Sequence, residues 1–312
     1  MRDPIGTALA NSGKPLAALL LLQGLWLGAA HAQLSINPKL AEEIAKQESI
    51  YQGKGEQRPE GYVIDRSLLA YTFTLSPGFD RSLADLGPAD RWLDIGAGQG
   101  LAVLDYYTSR YDAMHVEGRE RRGKKAQSVA MSIEDRRTPL WQQTAAGLED
   151  GKIQYLFGKR LREYTQEELG RFQLITDVIG GFSYAVDLSL FVEKALAVLN
   201  VNGNFYTLLQ DVHAESGTNK PHYTGSPYLT EITQADGSKL RICPWLKSIS
   251  CVEVTCQLRP EWKPAIEVYH IRKTCDNVSV PALKTIHYEA GTPPERGYQL
   301  ANPLQGQTGA AR

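Results

Sequence analysis

The sequence lacks an excess of charge of either sign. It carries 34 Lys and Arg residues against 35 Asp and Glu residues in 312 positions, a formal net charge of −1. Proteins that bind polyanions concentrate basic residues, so neither nucleic acid nor an anionic membrane surface is an expected partner. The 4 cysteines are too few to build a disulfide scaffold. Cys251 and Cys256 are spaced unlike zinc ligands, and no metal site is expected.

Long apolar runs are also scarce, and the clearest one lies near the N-terminus. Leu16–Leu27 is apolar except for Gln23 and is shorter than the ~20 residues of a membrane span. Ala30-His31-Ala32 has the small residues of a cleavage site. The pattern predicts a signal peptide over residues 1–32, cleaved after Ala32, and a periplasmic or secreted protein with no stable membrane span. An uncleaved anchor is the alternative interpretation.

The remaining chain divides by its pattern into four parts. Residues 33–88 predict an N-terminal helical cap, residues 89–290 the main domain, residues 212–248 a β-rich insertion in it, and residues 291–312 a disordered tail poor in large apolar groups. In the main domain, short apolar runs alternate with helical stretches. The runs that predict strands are Trp92–Ile95, Ala113–Val116, Ile153–Phe157, Phe172–Ile175 and Asn204–Leu208.

This alternation predicts an α/β fold: a doubly wound, mostly parallel Rossmann-like sheet with helices on both faces. Apolar positions from Leu188 to Leu199 follow helical spacing and predict one of those helices. Two β-rich runs, Ile249–Leu258 and Ala265–Lys273, predict a C-terminal antiparallel hairpin. If the chain is exported, its cysteines should be paired. A hairpin turning near residues 261–262 would place Cys251 close to Cys275, which predicts that disulfide.

A glycine-rich loop follows the first predicted strand. The segment Asp94-Ile95-Gly96-Ala97-Gly98-Gln99-Gly100 precedes a helix that begins near Leu101. Alternate glycines let the backbone turn tightly and approach a ligand where a side chain would collide. A dinucleotide fingerprint needs a small residue where Leu101 stands, and no G-K-[ST] of a phosphate loop follows. NAD binding and a phosphate-binding loop are therefore both disfavoured.

The loop resembles that of the class I S-adenosyl-L-methionine-dependent methyltransferases, in which an acidic residue precedes x-G-x-G-x-G. The motif is matched at Asp94, Gly96, Gly98 and Gly100. The resemblance covers roughly residues 89–210 and implies S-adenosyl-L-methionine as cofactor. It also implies an acid closing the second strand that binds the ribose hydroxyls, here Glu117 with Glu120 as a substitute, and an acid closing the fourth strand, here Asp177, that faces the methionine and the substrate.

The sequence departs from the family in two places. Phe157-Gly158-Lys159 stands where many members carry an Asp or Asn that binds the adenine amino group. No Asn-Pro-Pro-Tyr segment follows the fourth strand, so the resemblance does not extend to enzymes that methylate amino groups of DNA. Residues 178–184 occupy that place instead.

Catalytic residues cannot be assigned from this pattern. Methyl transfer from a sulfonium is an in-line displacement, to which orientation and desolvation contribute most, and only protonated acceptors need a general base. Asp177, Tyr184 and His213 follow the fourth and fifth predicted strands and are the candidates. Each also has an ordinary interpretation as a loop or capping residue.

Two hypotheses of function follow from the sequence. The first is an exported methyltransferase acting on a small molecule or a protein side chain; the second is a non-catalytic or repurposed nucleoside-binding protein on the same scaffold. Export favours the second because S-adenosyl-L-methionine is made in the cytosol, and an aminopropyl transferase is a third option. Aromatic residues of the cap and the insertion are predicted to enclose the acceptor, with ordinary packing as the alternative: Tyr62, Tyr71, Tyr223, Tyr228 and Trp245.

Overall fold

The computed structural model describes residues 66–75, 77–108, 126–149, 151–210, 230–259, 262, 265–289 and 294–304. All of them belong to the unit Ser35–Arg312. The predicted signal peptide, most of the predicted cap, Glu117, Glu120, His213 and the insertion up to residue 229 lie outside these ranges. Within the ranges, none of the helices is both long and apolar enough to cross a bilayer.

Seven strands form the main sheet and four form a second one. The strands are β1 Arg91–Ile95, β2 Gln127–Met131, β3 Ile153–Leu156, β4 Phe172–Asp177, β5 Leu199–Leu209, β6 Thr230–Thr233, β7 Lys239–Leu240, β8 Val252–Arg259, β9 Ile266–Lys273, β10 Leu283–Glu289 and β11 Glu295–Leu300. The main sheet has the order β3-β2-β1-β4-β5-β9-β8. Strands β1 to β5 pair in parallel, whereas β9 and β8 are antiparallel. The predicted parallel sheet with a C-terminal hairpin is confirmed.

Helices cover both faces of the main sheet. They are α1 Leu68–Leu75, α2 Phe79–Ala84, α3 Leu101–Thr108, α4 Pro139–Ala146, α5 Gln166–Leu169, α6 Gly181–Tyr184, α7 Leu188–Val198 and α8 Ile242–Lys247. Successive strand residues point to opposite faces, so Trp92 packs in the cluster of α1 to α4 and Leu93 in the cluster of α7. The predicted apolar stripe of α7 is buried, while Leu190 on its other side is 54% exposed. The doubly wound arrangement is thereby confirmed.

The strand beside β1 was not among the strands that the sequence predicted. It is Gln127–Met131, with Leu93 opposite Val129, whereas the predicted second strand, Ala113–Val116, lies outside the described residues. The sequence did not predict strand β2 because the first two residues of that strand, Gln127 and Ser128, are polar. Ser128 is nevertheless only 1% exposed, since its hydroxyl is hydrogen-bonded by the buried Tyr107 hydroxyl at 3.0 Å. A polar side chain can be buried when it has such a partner.

The predicted disordered tail is also corrected by the structure. Strand β11 lies inside residues 291–312 and pairs with β10 and β6, in a second sheet of order β10-β11-β6-β7. Arg296, Tyr298 and Leu300 alternate along β11 and are all buried. The prediction of disorder rested on the average composition of residues 291–312, and an average does not show this alternation. The predicted insertion contributes β6 and β7 to the same sheet.

The β8–β9 hairpin carries both disulfides. Val252 lies opposite Lys273, and the main chain of Thr274 donates to the carbonyl of Cys251 at 2.8 Å. Cys251 is bonded to Cys275, as predicted. A second disulfide joins Cys243 of α8 to Cys256 of β8. All four cysteines are therefore paired, and both bonds fix the outermost strand of the main sheet.

Candidate functional site

The glycine loop has a backbone that only glycine adopts without strain. Gly96, Gly98 and Gly100 have φ values of +70°, +56° and +74°. A Cβ on Gly96 would lie 2.6 Å from the Cα of Gly180, and one on Gly100 would lie 2.6 Å from Nε1 of Trp141. The loop is therefore packed on one side against the chain that follows β4 and on the other against α4.

Two aromatic side chains that the sequence analysis did not single out support this loop. The Tyr155 hydroxyl donates to the carbonyl of Gly98 at 2.5 Å. Trp141 packs edge-on against Tyr155, with ring centroids 5.4 Å apart. Nε1 of Trp141 is buried and has no acceptor among the described residues. The sequence signal that could have identified Tyr155 is its position inside a predicted buried strand. A buried tyrosine hydroxyl needs a hydrogen-bond partner.

Asp94 is fully buried and joins three elements. Its carboxylate accepts hydrogen bonds from the Tyr71 hydroxyl of α1, at 3.0 and 3.1 Å, and from Thr176 of β4, at 2.7 Å. Asp94 thus lies beneath the loop and connects α1, β1 and β4. Tyr71, predicted to enclose an acceptor, is 3% exposed and donates its hydroxyl to this carboxylate instead.

Asp177 ends β4 beside the glycine loop, because it lies opposite Ile95 in the parallel pairing of β1 with β4. It is 0% exposed. Its Oδ2 accepts a hydrogen bond from the main chain of Phe182 at 2.6 Å. Its Oδ1 is buried and has no hydrogen-bond partner in the described part of the chain. This buried carboxylate oxygen lies against Gly180, where the glycine loop meets the residues after β4.

The two carboxyl groups have raised pKa values. Burial raises the pKa of Asp94 to about 7, although the Thr176 and Tyr71 hydrogen bonds and the charge of Arg66 act against it. Burial also raises the pKa of Asp177 to about 7; the Phe182 N–H opposes this shift, and the charge of Asp94 adds to it. A ligand cation placed beside them would favour their ionised forms.

We expect the unfolding free energy to fall as the pH rises through 7. A carboxyl group with a pKa raised to about 7 contributes stability that is complete below its unfolded pKa near ~4 and is lost as pH passes its folded pKa. Between about pH 4 and pH 7 the loss is at most on the order of 4 kcal/mol for one group, and about half of it falls above pH 5.5. Urea denaturation at pH 5.5 and pH 8 measures it.

The variant Asp177→Asn is the control for this expectation, because it removes one of the two titrations. Its unfolding free energy should change less between the two pH values than that of the wild-type protein. The comparison also separates Asp177 from His270, whose pKa is lowered by burial. A wild-type stability that stays constant or rises from pH 5.5 to pH 8 would contradict the expectation.

Exposed apolar groups lie at the carboxyl ends of β2 and β3. Ile133 is 61% exposed and Phe157 is 45% exposed. The two segments are joined by a hydrogen bond from the main chain of Gly158 to the carbonyl of Ile133 at 2.9 Å. The Arg137 guanidinium lies 5.2 Å from the centroid of the Phe157 ring. This edge of the sheet offers flat apolar surface next to the glycine loop.

Two acidic residues, Glu134 and Asp135, follow β2 after Ser132 and Ile133. The main-chain carbonyl of Glu134 lies 3.4 Å from the Tyr155 hydroxyl that also reaches Gly98. The Glu134 side chain is 67% exposed and paired with Arg136 at 2.7 Å, and Asp135 is paired with Arg137. The sequence did not indicate these acids, because strand β2, which precedes them, was not predicted.

The other described residues that were predicted to contact the acceptor, Tyr184 and Trp245, lie in different parts of the structure. Tyr184 ends α6, is 38% exposed and lines a shallow pocket with Ser183, Gln210 and Arg296. Trp245, predicted to enclose an acceptor, is fully buried, and its Nε1 donates to the carbonyl of Pro281 at 3.0 Å. Across the described ranges, no three His, Cys, Asp or Glu side chains are grouped to hold a metal ion.

No protein-family model and no curated protein matches the sequence. Among solved structures, the chain is similar to an O-methyltransferase family protein from Burkholderia thailandensis, with 13% identity, a TM-score of 0.39 and coverage of 66% of this chain and 58% of that chain. It is also similar to phosphoethanolamine N-methyltransferase 2 from Haemonchus contortus, with 11% identity, a TM-score of 0.41 and coverage of 77% and 59%. An rRNA methylase from Streptococcus thermophilus has 11% identity, a TM-score of 0.36 and coverage of 69% and 100%.

The chain thus spans less than two thirds of the length of the first two structures. The strand order of the main sheet and the glycine loop after β1 are those of the Rossmann-like sheet that the sequence predicts.

Proposed function

We propose that the protein is an exported S-adenosyl-L-methionine-dependent methyltransferase that acts on a small molecule or a protein side chain. The observation that carries the proposal is the glycine loop at the carboxyl end of β1, which lies between two buried carboxyl groups, Asp94 and Asp177. Ligands of open parallel sheets bind at this edge. The cofactor is cationic at its sulfonium and at its ammonium, and a site with two carboxyl groups complements that charge.

The residues present fit the parts of this cofactor. The unpartnered Oδ1 of Asp177 can accept from the ammonium group. Ile133 and Phe157 offer apolar surface to the adenine ring. Gly98 lets the backbone approach the nucleoside because it has a φ of +56° and no side chain. When bound, the cofactor supplies the methyl group on its sulfonium.

The protein's own part in the reaction is chiefly positioning. Burial of Asp94 and its three hydrogen bonds fix the end of β1 and so the start of the loop. An ammonium group on Asp177 would lower the pKa of that carboxyl from about 7 and keep it ionised, so Asp177 would position the cofactor and would not take a proton. Tyr184 and His213 remain further candidates for contact with the acceptor.

Calorimetry with S-adenosylhomocysteine tests the proposed function. The wild-type protein should bind it saturably, and Gly98→Val should lose binding because the new side chain occupies the space of the ligand. Thermal unfolding of the variant serves as the control for its fold. The absence of heat with S-adenosylhomocysteine and S-adenosyl-L-methionine at high concentration would refute a methyltransferase.

A second test concerns the acid that binds the ribose. We expect Glu134→Gln to weaken S-adenosylhomocysteine binding by at least ~10-fold, because a carboxylate that accepts from two hydroxyls makes two charge-assisted hydrogen bonds. Glu134 follows β2, which pairs directly with β1. Glu117→Gln tests the ribose ligand that the sequence predicts. A loss of affinity in Glu117→Gln together with unchanged binding in Glu134→Gln would assign the ribose to Glu117.

Export is part of the proposal and has its own test. Two disulfides fit an oxidising compartment, and residues 1–32 have the pattern of a cleaved signal peptide. Mass spectrometry of the non-reduced periplasmic protein should find an N-terminus at Gln33. The same disulfides favour the second candidate function, a binding protein without turnover, because cofactor supply outside the cytosol is not assured. Binding without methyl transfer to any acceptor of a broad panel would select that function.

A further inference from the structure

The two disulfides interleave along the chain. Cys243 is bonded to Cys256 and Cys251 to Cys275, over sequence separations of 13 and 24 residues. In chain order, the first cysteine therefore pairs with the third and the second with the fourth. Four cysteines allow three connectivities, and this is the one in which neither bond joins consecutive cysteines.

An unfolded chain favours the other two connectivities. The entropic cost of closing a loop grows with the length of the loop, and Cys251 is nearer in sequence to Cys243 and to Cys256 than to Cys275. A chain that enters an oxidising compartment behind an N-terminal signal also exposes Cys243 and Cys251 before the other two cysteines. The bonds that form earliest are therefore expected to join consecutive cysteines.

Strand β8 is incompatible with the most local of these bonds. Cys251 directly precedes β8, and Cys256 lies inside it, opposite Tyr269 of β9. The four steps from Val252 to Cys256 along an extended strand span about 14 Å, whereas the Cα atoms of a disulfide lie at most about 7 Å apart. A bond between Cys251 and Cys256 would therefore prevent β8 from forming, and both native disulfides hold that strand.

We propose that the protein reaches its native pairing through a disulfide isomerase, a partner that presents a reactive thiolate. The inference rests on the export that the proposed function includes, and it deepens that proposal by assigning a class of partner to the maturation of the chain. The four cysteines are partly buried once the chain is folded, so this partner acts before β8 is in place.

The exchange itself needs no oxidant. The isomerase thiolate attacks the Cys243 sulfur of a bond between Cys243 and Cys251, forms a mixed disulfide and releases Cys251 as a thiolate. Cys251 then attacks the Cys275 sulfur of a bond between Cys256 and Cys275, which forms one native disulfide and releases Cys256. Cys256 attacks the mixed disulfide at Cys243, forms the second native disulfide and returns the isomerase thiolate. Only the initial oxidation, which removes two electrons and two protons per bond, requires a disulfide oxidant of the compartment.

Oxidative refolding of the purified protein tests the inference. The protein is reduced and unfolded in urea, diluted into folding buffer with diamide, which oxidises thiols without supplying any, and then incubated with or without reduced protein disulfide isomerase. Mass spectrometry of non-reduced peptides maps the bonds. Without the isomerase, at most about one third of the chains should carry both native pairs, because the bonds distribute over three connectivities. With the isomerase, the native fraction should rise about 3-fold.

Two double variants are the matched controls. Cys251→Ser with Cys275→Ser leaves one possible bond, as does Cys243→Ser with Cys256→Ser, so the isomerase should change the product of neither. Complete native pairing of the wild type with diamide alone, no gain on addition of the isomerase, or a native protein with consecutive cysteines bonded would overturn the inference. None of these results touches the proposed function, which is tested by S-adenosylhomocysteine binding and by an N-terminus at Gln33.

Discussion

Replacing Gly96 with alanine is expected to weaken S-adenosylhomocysteine binding at least ~100-fold and to lower the unfolding free energy by about 3 kcal/mol. Gly96 has a φ of +70°, and a Cβ there would lie 2.6 Å from the Cα of Gly180. The obstacle is main chain, which cannot rotate aside as a side chain can. Either the glycine loop or residues 178–181 must move, and the proposed ligand depends on both.

The variant Gly237→Ala is the control, because it introduces the strain of a positive φ without the steric clash that a Cβ causes at Gly96. Gly237 has a φ of +83°, and a Cβ there would meet nothing within 4 Å. This variant should lose only about 1 kcal/mol of unfolding free energy and no affinity. Calorimetry and urea denaturation of both variants measure the two effects. If Gly96→Ala binds S-adenosylhomocysteine as the wild type does, the loop is not the ligand site.

Replacing Arg296 with methionine is expected to cost about 3 to 5 kcal/mol of unfolding free energy. The guanidinium is 2% exposed, and its Nη1 donates to the carbonyls of Phe182 and Ala185 at 2.8 and 3.2 Å. Its Nη2 donates to the Thr230 hydroxyl at 2.9 Å. Methionine fills the volume but removes the guanidinium donor to the Phe182 carbonyl, while the Ala185 carbonyl keeps its hydrogen bond from the Tyr298 hydroxyl at 3.0 Å. The second sheet would lose its main polar attachment to α6.

Arg272→Met is the control for this effect. Arg272 also makes several hydrogen bonds, at 3.1 and 2.8 Å to Glu253, but its side chain is 39% exposed. Exposed ion pairs contribute at most about 1 kcal/mol, so this variant should remain close to the wild type in urea denaturation. A loss for Arg296→Met no larger than that for Arg272→Met would contradict the proposed attachment.

The sequence predicted those parts of the fold whose pattern is local. Strands β1 and β4 are short apolar runs that end in an acid or a glycine, and α7 is a regular apolar stripe. Hairpin register placed Cys251 near Cys275, because the pairing of two adjacent strands depends on the turn between them. Strand β2 was lost because Ser128 is buried through a partner, Tyr107, that lies in another element.

The candidate site likewise contains some residues that the sequence could predict and others that it could not. Gly96, Gly98 and Gly100 were recognisable because positive φ restricts the residue type. The side chains that hold the loop, Tyr71 and Tyr155, come from α1 and β3, and their contacts with Asp94 and Gly98 exist only after folding. Arg66 carried no sequence signal, since one arginine before a helix has no preferred partner until the helix docks.

The two disulfides stabilise a part of the main sheet that is distant from the glycine loop. Both hold β8, which is separated from β1 by β9, β5 and β4, a distance of about 19 Å at the usual strand spacing. Reduction would loosen the far edge of the sheet and leave the glycine loop on its own supports. We therefore expect a newly made chain with reduced thiols to form the glycine loop before the two disulfides fix strand β8.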